Sequence, residues 1–185
     1  AYAAISEQAK NHNKELDYQI KGDFLEVTQR ALSKTCSDYD NIIINPPYFK
    51  VSPKDDFNQL IKAHRGFALP NIYSAFMFLS LELLKPMGRL TALVPRSFFN
   101  GAYHKPFRHY IRKHYSIDSI TRYRSRSNVF KDENLLQENV IISFSNQKQI
   151  DKIKIYTYDN PESEIESTME LSSDVLLNNH HDVFA

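Results

Sequence analysis

Asn45-Pro46-Pro47-Tyr48 places an amide, two rigid imides and a phenol in four consecutive residues, directly after the β-branched run Ile42-Ile43-Ile44. The prolines fix two successive φ angles, and Pro47 keeps Pro46 out of the helical region, so the segment is a stiff extended corner. On that corner the Asn45 amide oxygen and the Pro46 carbonyl offer two neighbouring acceptors, a set that suits an exocyclic amino group. Tyr48 adds a flat ring on which a planar base lifted out of a duplex can stack. The plain alternative is a proline-rich turn behind a core strand. The complete tetrapeptide directly after a strand is a narrower pattern than a bare Pro-Pro turn, and favours the chemical reading.

The elements that must position this corner follow from periodicity. The run 42–44 is too short for a helix and predicts a parallel strand buried on both faces. Residues 71–84 are apolar around nearly the whole circumference, with Asn71 as cap after Pro70, which predicts a helix deep against a sheet. Lys85-Pro86-Met87-Gly88 ends that helix, and residues 89–94 predict the next buried strand. Upstream, residues 1–13 read as the later part of an amphipathic helix that no capping residue precedes. Residues 18–21 read as an edge strand ending at Gly22-Asp23-Phe24-Leu25, and residues 26–33 as a helix. Residues 49–69 read as a loop in which Lys50, Lys54, Lys62, His64 and Arg65 are candidate phosphate contacts. Beyond the core, residues 104–114 predict a basic helix, residues 117–123 and 139–144 an antiparallel strand pair, and residues 152–158 an outer strand.

The composition, with 42% hydrophobic residues and a formal net charge of +1 over 185 residues, is that of an ordinary one-domain globular chain. It contains no run long and apolar enough to span a membrane and no secretory signal, which points to a cytoplasmic location without a membrane partner. Cys36 is the single cysteine, so intrachain disulfides and cysteine-based zinc sites are excluded. No Pro-Cys pair is present for covalent attack on cytosine C5. The small net charge hides an asymmetry. Residues 96–131 carry nine Lys/Arg (Arg96, Lys105, Arg108, Arg112, Lys113, Arg122, Arg124, Arg126 and Lys131) against one acid, Asp118, whereas residues 132–185 carry three Lys/Arg against eleven acids. The basic third is either a phosphate-facing surface or a solvated face balanced by the acidic tail.

In these motifs the sequence resembles the Rossmann-like, S-adenosylmethionine-dependent amino-methyltransferases, whose motif IV is Asn/Asp/Ser-Pro-Pro-Tyr/Phe. The tetrapeptide occurs in DNA, RNA and protein-glutamine methylases. The pattern Asn-Ile-Tyr…Leu-Leu-Lys-Pro-Met-Gly-Arg-Leu…Val-Pro-Arg-Ser-Phe-Phe from Asn71 to Phe99 is more selective and resembles motifs V and VI of adenine-N6 DNA methylases of restriction-modification systems. The resemblance implies that Asn45 and the Pro46 carbonyl bind the amino group of a flipped adenine, with Pro47 and Tyr48 lining its pocket. It implies S-adenosylmethionine as cofactor, with Asp23 and Phe24 as motif III at its adenine, and Asn45 and Tyr73 beside it. From the residues alone, Asp23 reads equally as a helix N-cap, and Tyr73 and Phe76 as core. Phe130, at the motif VIII position, either packs on the base opposite Tyr48 or plugs the hairpin, and Arg96, Lys105, Arg122, Arg124 and Arg126 are the DNA-backbone candidates. No metal is required. Double-stranded DNA is the implied partner, with a restriction subunit or further domains of the same enzyme.

The expected fold is α/β: a Rossmann-like methyltransferase with a mostly parallel sheet and a C-terminal antiparallel hairpin, lacking its first strands and Gly-rich loop. The chain has four glycines, at 22, 66, 88 and 101, and no Gly-x-Gly. Residues 1–159 are therefore expected to form the part of a catalytic domain running from motif III to motif VIII. Residues 160–185 are expected to form an acidic tail or linker toward a target-recognition domain. Cytosine-N4 methylation usually has Ser in place of Asn45, so adenine is favoured. An RNA-base or protein-glutamine methyltransferase, or an inactive DNA-binding remnant, are the alternatives.

Overall fold

The structure, a computed structural model, describes residues 23–33, 39–123, 139–160 and 163–177. The segments 1–22, 34–38 and 124–138 lie outside the described residues, and with them the expected first helix and edge strand, Cys36, Arg124, Arg126 and Phe130.

The chain runs α1 (Phe24–Ser33), β1 (Tyr39–Ile44), α2 (Asp56–Arg65), α3 (Ile72–Glu82), β2 (Leu84–Pro95), two short 3₁₀ turns, α4 (Lys105–His114), β3 (Ser116–Tyr123), β4 (Asn139–Ser145), β5 (Lys152–Tyr158), β6 (Ile165–Ser172) and α5 (Ser173–Leu176). The six strands form one sheet in the order β1-β2-β4-β3-β5-β6. β1 and β2 pair in parallel, as do β3 and β5, while β4 is antiparallel to both β2 and β3, and β6 is antiparallel to β5. Four strands thus share one direction; β3 and β4 pair antiparallel, as the sequence predicts, and β4 lies between β2 and β3.

The core lies between one sheet face and the helices. Leu90, Ala92 and Val94 alternate along β2 and register with Phe144, Ile142 and Val140 of β4, all fully or almost fully buried. Against them α3 buries nine of its eleven residues, including Tyr73, Phe78 and Leu81. Phe107 of α4 reaches Phe78 and Phe98 with ring centroids at 6.3 and 6.5 Å. The opposite face carries Ile43, Thr91, Ser143 and Ser119 in one row and Leu93, Ile141 and Thr121 in the next, none of them buried. Thr91 and Ser143 join hydroxyls at 3.1 Å.

Four expectations change. The run 42–44 is not buried on both faces: Ile42 and Ile44 face the helices, but Ile43 is 85% exposed because no described helix covers its side of the sheet. The stretch 49–69 contains α2, closed by Gly66 at φ 79, a left-handed conformation that glycine adopts without strain. β2 starts at Leu84 rather than at Arg89, with a bulge at Met87 (φ 65). Gly88 is required there, since a Cβ would stand 2.9 Å from the carbonyl oxygens of Lys85 and Tyr39. Asn146 holds the bulge, donating from Nδ2 to Leu84 O at 2.9 Å and accepting from Met87 N at 3.0 Å. Finally, β5 is not outermost, because Ile165–Ser172, within the expected tail, pairs with it.

Candidate active site

β1 stops at Ile44, paired with Ala92, while β2 continues to Pro95. Leu93 is therefore left with a carbonyl that β1 does not reach, and the Tyr48 hydroxyl donates to it at 3.0 Å. The same hydroxyl stands 3.2 Å from Asn45 Oδ1. Tyr48 thus extends the hydrogen bonding of the sheet past the end of β1 and faces the amide of Asn45. Asn45 and Pro47 are exposed, Pro46 is buried and Tyr48 is half-buried, the alternation expected of an extended corner.

The segment after the corner is fastened to the start of α3. Ile72 N donates to Phe49 O at 2.9 Å, Val51 N donates to Pro70 O at 3.0 Å, and Lys50 bridges to Asn71. Asn71 stands at the N-cap position but makes no side-chain cap; its amide instead lies 3.4 Å from His104 Nε2.

Tyr73, the second residue of α3, is 2% exposed, and its ring meets Tyr48 edge-on at 6.2 Å. Its hydroxyl is 3.1 Å from Ser97 Oγ and 3.1 Å from His104 Nε2. The Tyr73 hydroxyl thus links Ser97 and His104 in one chain, donating to one neighbour and accepting from the other. Burial, aided by Arg108, lowers the His104 pKa from 6.5 to about 4, so the ring is neutral. Burial also raises the Tyr73 pKa and keeps the phenol a donor. Arg108 donates to Phe98 O at 3.0 Å and Gly101 O at 2.7 Å, so α4 clamps the turn that carries Ser97 and His104. Tyr73 is thus packed as support behind Tyr48, with its hydroxyl committed to protein groups.

Asp23 Oδ1 accepts from Leu25 N at 2.7 Å and so opens α1, matching its capping reading. Phe24 stacks on Phe76 of α3 with centroids 4.3 Å apart. Because Tyr73 and Phe76 are neighbours one turn apart on α3, the two aromatic pairs adjoin along one side of that helix.

Among the DNA-backbone candidates, Arg96, which opens the 3₁₀ turn Arg96–Phe99, and Lys105, which follows the turn Ala102–His104, are exposed. Arg122 Nε donates to Thr157 Oγ1 at 3.1 Å. His64 and Arg65 point elsewhere: both bind the Glu82 carboxylate, at 2.9 and 2.6 Å. Glu82 is 4% exposed and also accepts from the hydroxyls of Tyr110 and Tyr115. Sequence reasoning missed Glu82, although one carboxylate on an otherwise apolar helix is itself a sign of a paired buried charge. It also missed His104, whose burial depends on a turn that periodicity does not reveal.

Comparison with known proteins places this geometry in a family. The Eco57I restriction-modification methylase family model matches residues 2–130, well over half of the chain. The type II methyltransferase M.PstI from Providencia stuartii is 38% identical over 124 residues, covering 66% of this chain and 24% of that protein. The type IIG restriction endonuclease BpuSI superposes with a TM-score of 0.66 at 16% identity, over 88% of this chain and 22% of that chain. A class I S-adenosylmethionine-dependent methyltransferase from Listeria monocytogenes superposes with a TM-score of 0.52 at 16% identity, over 66% and 38% of the two chains. The fold is therefore that of the Rossmann-like methyltransferases. The chain spans about a quarter of the length of the curated relatives it matches. Its Asn-Pro-Pro-Tyr corner, tied to β2 and braced by α3, is that of a chain belonging to the Eco57I restriction-modification methylase family.

Proposed function

We propose that the chain is the base-binding part of a DNA methyltransferase of a restriction-modification system, acting on the N6 amino group of an extruded adenine. The observation that carries this reading is the Asn45–Tyr48 pair. An exposed amide oxygen sits beside a ring held in place by a bond to Leu93 O, at the carboxyl end of a strand in a sheet of methyltransferase topology.

In this reading Asn45 Oδ1 and the Pro46 carbonyl accept the two N–H groups of adenine N6, which draws the nitrogen lone pair out of conjugation and aims it. Tyr48 stacks on the base. S-adenosylmethionine, when bound, supplies an electrophilic methyl on its sulfonium. Asn45 and the Pro46 carbonyl would hold N6 with its lone pair toward that methyl, and the proton that N6 sheds on accepting it would pass to solvent water. Asn45 stabilises the charge that develops on N6 before that loss.

The residues present fit the adenine end of that cofactor. Asp23 has a second carboxylate oxygen able to accept an exocyclic amino group, and Phe24, stacked on Phe76, makes a flat apolar shelf beside it. The described residues hold no Gly-x-Gly turn for the methionine end, so that half of the site is assigned to other parts of the enzyme. Arg96 and Lys105 are the groups proposed to meet DNA phosphates.

In the full-length protein, Asn45→Ala is expected to lower turnover by about 10²- to 10³-fold, as loss of a transition-state hydrogen bond does. DNA affinity is expected to stay close to that of the wild type. Near-normal turnover of this variant would refute the assignment.

A further inference from the structure

The large exposed apolar side chains differ in why they are exposed. Ile43 lies on the uncovered sheet face, Ile165 and Met169 on the edge strand β6, and Met87 on a bulge. Tyr103, 82% exposed, belongs to none of these. It sits on the second 3₁₀ turn (Ala102–His104), and that turn is rigidly held. Gly101 N donates to Ser97 O and His104 N to Gly101 O, each at 3.0 Å, and Arg108 binds Gly101 O. The next side chain, His104, is 4% exposed and bonded to Tyr73. A fixed backbone therefore holds an aromatic ring out in water.

The place matters as much as the exposure. Two ring-to-ring steps, 6.2 Å from Tyr48 to Tyr73 and 5.7 Å from Tyr73 to His104, lead from the base-binding corner to this turn. The segment also carries exposed Arg96 and Lys105, and no acid occurs between Arg96 and Asp118, so its field attracts a polyanion. Extruding one nucleotide opens the stack and bares the flat faces of its partner and neighbours, at a cost of a few kcal/mol that a protein ring can offset by stacking.

The geometry points to Tyr103 as a second base-binding ring, one that stacks on a nucleobase left exposed in the duplex when the target adenine is extruded. This rests on the DNA reading above and adds to it a contact on the strand stack itself, outside the pocket of the extruded base. Tyr103 is not a catalytic residue in this account. Its rigid turn, coupled to Tyr48 through His104 and Tyr73, sets the distance between the extruded base and the gap it leaves. Phe49 is also exposed, but it adjoins the Asn-Pro-Pro-Tyr corner, and changing it would disturb that corner directly.

The test is fluorescence anisotropy with the full-length protein and a labelled duplex containing one adenine mispaired with cytosine, which eases extrusion and keeps the opposite base in place. Tyr103→Ala is expected to weaken binding by about tenfold or more, and Tyr103→Phe by less than about twofold, because the ring face supplies the interaction. The salt dependence of binding is expected to be unchanged in both variants, since no phosphate contact is removed. Wild-type affinity in Tyr103→Ala, or equal losses in both variants, would overturn the inference. Absence of wild-type binding to the duplex would overturn the DNA reading together with it. Binding that responds to Tyr103 as expected, without methyl transfer to DNA, would overturn the proposed reaction and leave Tyr103 as a base contact.

Discussion

At the scale of single residues, the Tyr48 hydroxyl and ring have separable tasks. The hydroxyl satisfies Leu93 O and faces Asn45, while the ring offers the stacking face. Tyr48→Phe keeps the face and leaves one carbonyl without its partner, a loss of about 1 kcal/mol in stability. Tyr48→Ala removes the face and is expected to weaken DNA binding by about 1–3 kcal/mol. Equal DNA affinities for the two variants would show that Tyr48 does not stack. His104 supplies a second test, through pH. Its folded-state pKa of about 4 lies below the ordinary 6.5, so its contribution is fully present above pH 6.5 and is lost as pH falls toward 4. The shift corresponds to about 3 kcal/mol. Arg108, Tyr73 and Asn71 face the ring, and among these Arg108 opposes a second positive charge. Thermal unfolding between pH 7 and pH 4 is expected to show this loss, and His104→Gln to flatten it. An unchanged slope in the variant would remove His104 as its source.

At the scale of elements, the tie at the far end of α3 is the most consequential feature outside the site. Glu82 gathers His64 and Arg65 from α2, Tyr110 from α4, and Tyr115 just beyond it. Burial, aided by the Glu82 carboxylate, pushes the Tyr110 pKa up to about 12, so its phenol remains a donor. Removing the carboxylate leaves a cation and two phenols without their acceptor, and Glu82→Ala is expected to cost about 3–5 kcal/mol. That corresponds to a fall in Tm on the order of 10 °C for a chain of this size. A fall of less than about 2 °C would show the tie to be dispensable. Much of this scale was legible beforehand. The periods at 71–84, 104–114, 117–123 and 139–144 each correspond to an element with shifted ends, and that at 152–158 to a strand with the same ends. The helix Asp56–Arg65 was missed although Phe57, Leu60 and Ile61 carry its spacing, since the charged residues between them mask the period. β6 was missed because its side chains are exposed almost throughout, so its pattern of residues carries no burial signal.

At the scale of the whole molecule, one sheet face is covered by helices and the other is not, among the described residues. Ile43 shows the consequence: its β-branched neighbours predict burial on both sides, but burial also needs a second layer that periodicity within β1 cannot supply. The site divides in the same way. The corner proposed to grip the base was readable in four residues, because prolines and an amide limit what a backbone can do. The braces at Tyr73, Ser97 and His104 were not, because they join positions 24 to 31 residues apart through a turn of irregular geometry. The most direct measurement is transfer of radiolabelled methyl from S-adenosylmethionine to duplex DNA by the full-length protein, followed by nucleoside analysis. The account expects label in N6-methyladenine. Label in N4-methylcytosine, in RNA or in protein, with none in adenine, would contradict it.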